Sequence, residues 1–131
     1  MYLVDGTKIK ITRGDIVSIN ISAQNVDGTN YIFKIGDVIR FKIYEKKNYN
    51  LLKLQKDINV TEETEYVSIF LDKEETKIDE LINKPKEYWY EVELNPDTAP
   101  QTIIGYDDDG AKILILYPEG CDFNEWDKWK T

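Results

Sequence analysis

Hydrophobic residues recur at every second position through most of this chain, and that period restricts the fold more than any other feature. Val17, Ile19 and Ile21 alternate with Ser18 and Asn20, and Ile39, Phe41 and Ile43 alternate with Arg40 and Lys42. Tyr88, Tyr90, Val92 and Leu94 alternate with Trp89, Glu91 and Glu93. Successive side chains of an extended strand point to opposite faces, so this pattern builds strands with one buried face; a helix would scatter the same residues around its axis. Arg13-Gly14-Asp15, Asp27-Gly28, Gly36-Asp37, Asn95-Pro96-Asp97 and Asp107-Asp108-Asp109-Gly110 punctuate the alternations as turns.

The remaining segments fit the same scheme. Ile9 and Ile11 open the first strand, Tyr31-Ile32-Phe33 reads as a short return strand, and Lys46 to Asn50 reads as a hairpin loop. Residues 51–56, 66–71, 102–106 and 112–117 supply further strands, with both faces of 66–71 partly covered. Short strands separated by turns roughly every eight to twelve residues predict a mostly all-β fold: a two-sheet antiparallel, immunoglobulin-like β-sandwich. One short helix is predicted over Asp72 to Ile82. Asp72 with Glu75 makes a capping box, Ile78, Leu81 and Ile82 form an apolar stripe, and Lys84-Pro85 ends it. The predicted core contains Ile19, Ile39, Phe41, Ile43, Val67, Ile69, Tyr90, Val92, Ile113 and Ile115.

A length of 131 residues suits one domain with one core. We read residues 1–120 as the β-sandwich domain and 121–131 as a C-terminal aromatic and acidic tail, because alternation stops after Pro118-Glu119-Gly120. The longest apolar run, Ile113 to Tyr117, is far short of the ~20 residues of a membrane helix. No signal peptide is recognisable, and the single Cys121 suits a reducing compartment, so synthesis in a cytoplasm is expected.

Chemistry is restricted just as firmly. The chain has no histidine and one cysteine, which removes triads, thiol–imidazole pairs and the usual zinc sites. No enzymatic activity, cofactor or metal is expected. A net charge of −8 argues against nucleic acid. Residues 1–60 carry ten basic and six acidic groups and residues 61–131 carry seven and nineteen. Such asymmetry either orients subunits against each other or forms an acidic solvated surface.

Four motifs invite functional readings. Asp107-Asp108-Asp109-Gly110 lacks the alternate oxygen ligands and distal Glu of a calcium loop and reads as a hairpin tip. Tyr88-Trp89-Tyr90 makes no flat sugar platform, because period two sets Trp89 opposite its neighbours, so core packing is expected. Arg13-Gly14-Asp15 reads as a local kink. The candidate partner-binding residues are Phe123, Trp126 and Trp129, spaced by three in the acidic tail. They dock on a neighbouring chain, fold back over the sheet, or belong to a disordered end.

In order along the chain come Ile11-Thr12-Arg13-Gly14-Asp15, the run from Tyr31 through Gly36-Asp37 to Phe41, and Leu71-Asp72-Lys73-Glu74-Glu75-Thr76. Tyr88-Trp89-Tyr90-Glu91-Val92-Glu93-Leu94 and Gln101-Thr102-Ile103-Ile104-Gly105 follow. From about Ile9 to Gly120 the chain resembles a group of small β-sandwich proteins from tail and baseplate gene clusters of phages and prophages of clostridia and related Gram-positive bacteria. It is similar, more distantly, to the N-terminal domain of baseplate upper proteins, where a Gly-Asp turn, a strand, an Asp-X-X-X-Thr segment and a Tyr-X-Tyr strand recur in that order. No counterpart of the longer region that carries receptor-binding subunits in those proteins is expected here.

The resemblance implies a structural virion subunit, a baseplate adaptor acting by protein–protein assembly. Its partners would be other tail or baseplate proteins and copies of itself in a ring, with no nucleic acid and no membrane. Assembly would take place in the bacterial host cytoplasm and end in the virion. The alternatives are a carbohydrate-binding module for the bacterial cell wall and a phage-encoded inhibitor of a host protein.

Overall fold

The computed structural model describes residues 2–5, 8–45, 48–78, 82–104 and 112–120. The alternating segments become β1 (Tyr2–Asp5), β2 (Lys8–Thr12), β3 (Val17–Ile21), β4 (Val38–Glu45), β5 (Asn48–Asn59), β6 (Val67–Leu71), β7 (Lys86–Leu94), β8 (Gln101–Ile104) and β9 (Lys112–Tyr117). They form two sheets. The larger runs β1-β2-β9-β7-β4-β5, with β8 also paired to β7. β4 flanks one edge of β7, while β9 and β8 divide the other, taking residues 86–90 and 92–94. The smaller sheet is the antiparallel pair β3-β6.

Both sheets feed one core. β3 and β6 contribute Val17, Ile19, Ile21, Val67, Ile69 and Leu71. The large sheet contributes Ile9, Ile11, Ile39, Phe41, Ile43, Tyr88, Tyr90, Val92, Leu94, Leu114 and Leu116. The strict burial alternation of β3, β6 and β7 is the signature of strands covered on one face only. Phe41 and Tyr90 are diagonal neighbours across the β4–β7 pair, with ring centroids 5.9 Å apart. Burial pushes the Tyr90 hydroxyl up to about 12.

The structure departs from the sequence reading in several places. A strand, β1, precedes Ile9, where the sequence pattern opens the first strand, and β6 is covered on one face instead of both. β2 and β9 pair in parallel, so the large sheet is mixed. The short helix predicted over Asp72 to Ile82 does not form among the described residues. Asp72, Glu74 and Glu75 do make their capping box, but it closes a turn over residues 73–76. Only one i to i+4 bond follows, from Thr76 N–H to Asp72 C=O, before Lys77 N–H turns back to Glu74 C=O. Tyr31-Ile32-Phe33 makes an isolated bridge, Phe33 to Thr64, instead of a strand. Asn48 to Asn50 belong to β5 rather than to a loop.

A further correction concerns the core. Eight of its ten predicted members are buried; Ile113 and Ile115 are not, and Leu114 and Leu116 take their place. Lys112 to Tyr117 is apolar on both faces, so alternation alone assigns no inner side. Register assigns it: Leu114 lies opposite both Ile9 and Tyr88, which already face the core.

Leu114→Ala is therefore expected to destabilise by about 2–5 kcal/mol in urea unfolding, and Val92→Ala by about 1–3 kcal/mol. Ile115→Ala should cost clearly less than Leu114→Ala. An equal or reversed order would mean that β9 presents its other face to the core.

Candidate functional site

Motifs far apart in sequence are bonded to each other. In the Arg13-Gly14-Asp15 turn, Asp15 N–H returns to Thr12 C=O at 3.1 Å and Gly14 has φ +88°, a conformation that favours glycine. The hydroxyl of the fully buried Thr76 accepts from Gly14 N–H at 3.0 Å and donates to Asp15 C=O at 2.8 Å. Arg13 pairs with Glu119, and its N–H reaches Tyr117 C=O at 3.0 Å. Glu75 also accepts from the Lys56 ammonium at 2.8 Å. The first joint thus ties the turn after β2 to the segment after β6.

The second joint is built on Asp37. Gly36, with φ +96°, turns the chain so that the buried Asp37 carboxylate points inward. That carboxylate accepts from Tyr31 O–H at 2.8 Å, Lys34 N–H at 3.0 Å and the Asn95 amide at 3.1 Å. Asn95, in the left-handed region at φ +49°, also accepts from Val38 N–H at 2.8 Å. Burial pushes the Asp37 carboxyl up. The Lys34 N–H, Asn95, Tyr31 and the Lys34 charge outweigh it and hold the group below its ordinary value. Burial and then the Asp37 carboxylate push the Tyr31 hydroxyl up to about 12. These groups hold turns together.

The two outward faces differ in kind. On the large sheet, Arg40 forks onto Asp57 at 2.9 and 3.0 Å and reaches Asp97 at 3.1 Å, which holds its pKa above the ordinary value. Lys42 lies 2.7 Å from Glu93 and 3.7 Å from Glu91, and Tyr44 donates to Glu91 at 2.8 Å. Arg13, Arg40, Lys42 and Lys56 each reach an acidic group beyond residue 60. Much of the charge asymmetry that could have oriented subunits is therefore spent inside the molecule.

Within the small sheet's two strands, the outward positions carry no charge. Ser18 and Asn20 on β3 lie opposite Phe70 and Ser68 on β6, and Ser68 O–H donates to Asn20 Oδ1 at 2.6 Å. Ile16, Tyr66 and Phe70 are 60%, 61% and 47% exposed. Tyr66 and Phe70 stand about 13 Å apart along the strand direction. This face is the candidate site, and it was legible only indirectly. Residues 66–71 look apolar on both sides, whereas the informative signal is that Ser18, Asn20 and Ser68 occupy positions where β4 and β7 carry Lys, Arg or Glu.

The sequence-derived candidates fall elsewhere. Phe123, Trp126 and Trp129, and the turn Asp107-Asp108-Asp109-Gly110, lie outside the described residues. Tyr88 and Tyr90 are core residues, with Trp89 on the opposite, partly exposed face. Among the described residues no group of His, Cys, Asp and Glu could hold a metal ion. No protein-family model, curated protein or solved structure matches this chain.

Because the folded Asp37 carboxyl lies below its unfolded value, its contribution to stability is present above the unfolded pKa of ~3.9 and is lost as pH falls through the folded value. Asp37→Asn is expected to cost about 1–3 kcal/mol near neutrality, and the deficit should narrow below about pH 4. Urea titrations across that range check both statements. A deficit independent of pH would show that the carboxylate's charge plays no part.

Proposed function

We propose that this chain is a structural virion subunit, an adaptor in the baseplate of a phage or phage-like tail, acting by protein–protein assembly and without catalysis. The observation that carries this reading is the uncharged outward face of β3 and β6, with Phe70, Tyr66 and Ile16 exposed, in a chain that is 32% charged. Interface cores are depleted in charge and enriched in Tyr and Phe. The resemblance to small tail and baseplate proteins supplies the setting, and an immunoglobulin-like sandwich is the finer form of the fold that accords with it.

Two five-residue strands present roughly 170 Å² in projection. A standard contact takes about 800 Å² from each partner, so this face is the centre of an interface rather than the whole of it. A ring of copies around the tail axis, held by other tail proteins, suits contacts that are weak singly and strong together. Phe123, Trp126 and Trp129 in residues 121–131 would add anchoring area. Assembly in the host cytoplasm would carry the chain into the virion.

The double variant Tyr66→Lys, Phe70→Lys tests this reading. Both side chains are exposed, so its stability should stay within about 0.5 kcal/mol of the wild type for each substitution. Quantitative mass spectrometry of purified particles should find it incorporated at least about tenfold less than the wild type, the effect of ~1.4 kcal/mol. Normal stoichiometry would remove this face as the interface.

A further inference from the structure

A groove of about 560 Å³ opens at the seam between the sheets, separate from the Phe70 face. One wall is residues 22–26, which continue β3, and the other is residues 101–103 of β8; Tyr31 and Leu94 also line it. A groove lying over one face of a strand would touch every second residue. This one touches Gln101, Thr102 and Ile103 in succession, and every residue from Ser22 to Val26, so it follows two backbone edges.

Both edges offer main-chain pairing. Among the described residues β8 pairs with β7 alone. Across the groove, Ala23 C=O accepts from Tyr31 N–H at 2.9 Å and Asn25 N–H donates to Thr29 C=O at 2.7 Å, so those residues turn toward the return arm of their own loop. Main-chain directions alternate along an extended segment, which turns the N–H and C=O of Gln24 away from that arm. Among the described residues neither is bonded. The loop is already held in shape, with Asn25 Nδ2 donating to Thr29 Oγ1 at 3.0 Å and Thr29 O–H donating to Asp27 Oδ1 at 2.6 Å.

The lining chemistry narrows the occupant. No lining residue is charged. Ser22, Gln24, Gln101 and Thr102 have hydrogen-bonding side chains without a protein partner among the described residues. Such a groove penalises a charge it would bury unpaired and accepts neutral donors and acceptors.

We propose that this groove takes an extended, uncharged peptide segment of a partner protein, which adds to β8 as a strand and bonds to the main chain of Gln24 on its other side. β8 supplies about 13 Å of edge, enough for four residues of such a segment. The preformed loop lowers the ordering cost of binding.

The test uses the full chain, labelled with nitrogen-15, and the peptide acetyl-Thr-Val-Thr-Val-Thr-Gly-Lys-Lys-amide, whose lysines lie beyond the paired segment. The expected result is shifted and exchange-protected amides at Gln24 and residues 101–104. A peptide N-methylated at all five residues of its Thr-Val-Thr-Val-Thr segment, which removes the main-chain donors to both walls, should bind at least tenfold more weakly. Phe70→Lys should bind the unmodified peptide as the wild type does, because the two surfaces are separate. No response to the peptide at millimolar concentration, or equal binding of the N-methylated form, would overturn the proposal. A response at these residues to chitotetraose but not to the peptide would overturn it in favour of a saccharide site.

Discussion

One core shared between two sheets is the constraint on which the rest of this structure depends. Each strand has a single apolar face to hide, and β3 and β6 hide theirs only by lying over the large sheet. A two-stranded sheet is at best marginal alone, so the small sheet depends on the large one for its stability. That dependence explains the Thr76 joint, while the Asp37 joint braces the large sheet itself. Thr76 fastens the end of β6 to the turn leading into β3, and Asp37 with Asn95 fastens the entry to β4 to the exit from β7. The first joins segments of different sheets, and the second continues the β4–β7 ladder, where Asn95 N–H also donates to Val38 C=O at 2.8 Å. A buried hydroxyl or carboxylate in these places is tolerable because its hydrogen-bonding capacity is used.

With the inner faces committed to the core, function has the outer faces and the seams. The large sheet's outer face is an ion-paired lattice in which Lys42 lies between Glu91 and Glu93 and Arg40 spans Asp57 and Asp97. Exposed pairs of this sort contribute little stability each, but they leave few charges unanswered. The basic first half and acidic second half of the chain are thus complementary to each other before they meet any partner. The small sheet's outer face follows the opposite rule, with hydroxyls and amides between exposed aromatic and aliphatic side chains. Desolvating such a surface costs less than desolvating the lattice, and that difference is the physical basis for proposing this face as the one that assembles.

The strands whose two faces differ in polarity were legible in the sequence. Val17 to Ile21, Val38 to Glu45 and Lys86 to Leu94 each read unambiguously, and their inward residues lie where alternation puts them. Lys112 to Tyr117 was legible as a strand but not as a face, since Ile113 and Leu114 are equally apolar. The parallel pairing of β2 with β9 joins residues about a hundred positions apart, and no local signal carries it. The turn at Asp72 to Thr76 has a proper helix start, yet the Thr76 side chain is committed to Gly14 and Asp15, a contact invisible from the local sequence. The candidate site was hidden for a related reason: its signal is charge missing from outward positions, and it emerges only once inward and outward are known.

Footprinting of Tyr66 and Phe70 in the free chain and in assembled particles tests the central claim most directly. In the free chain both side chains are exposed and should be modified readily by hydroxyl radicals. In particles the account predicts strong protection of both, with Asp97 and Lys53 on the ion-paired side remaining as reactive as before. Equal modification of Tyr66 and Phe70 in the two states would contradict it.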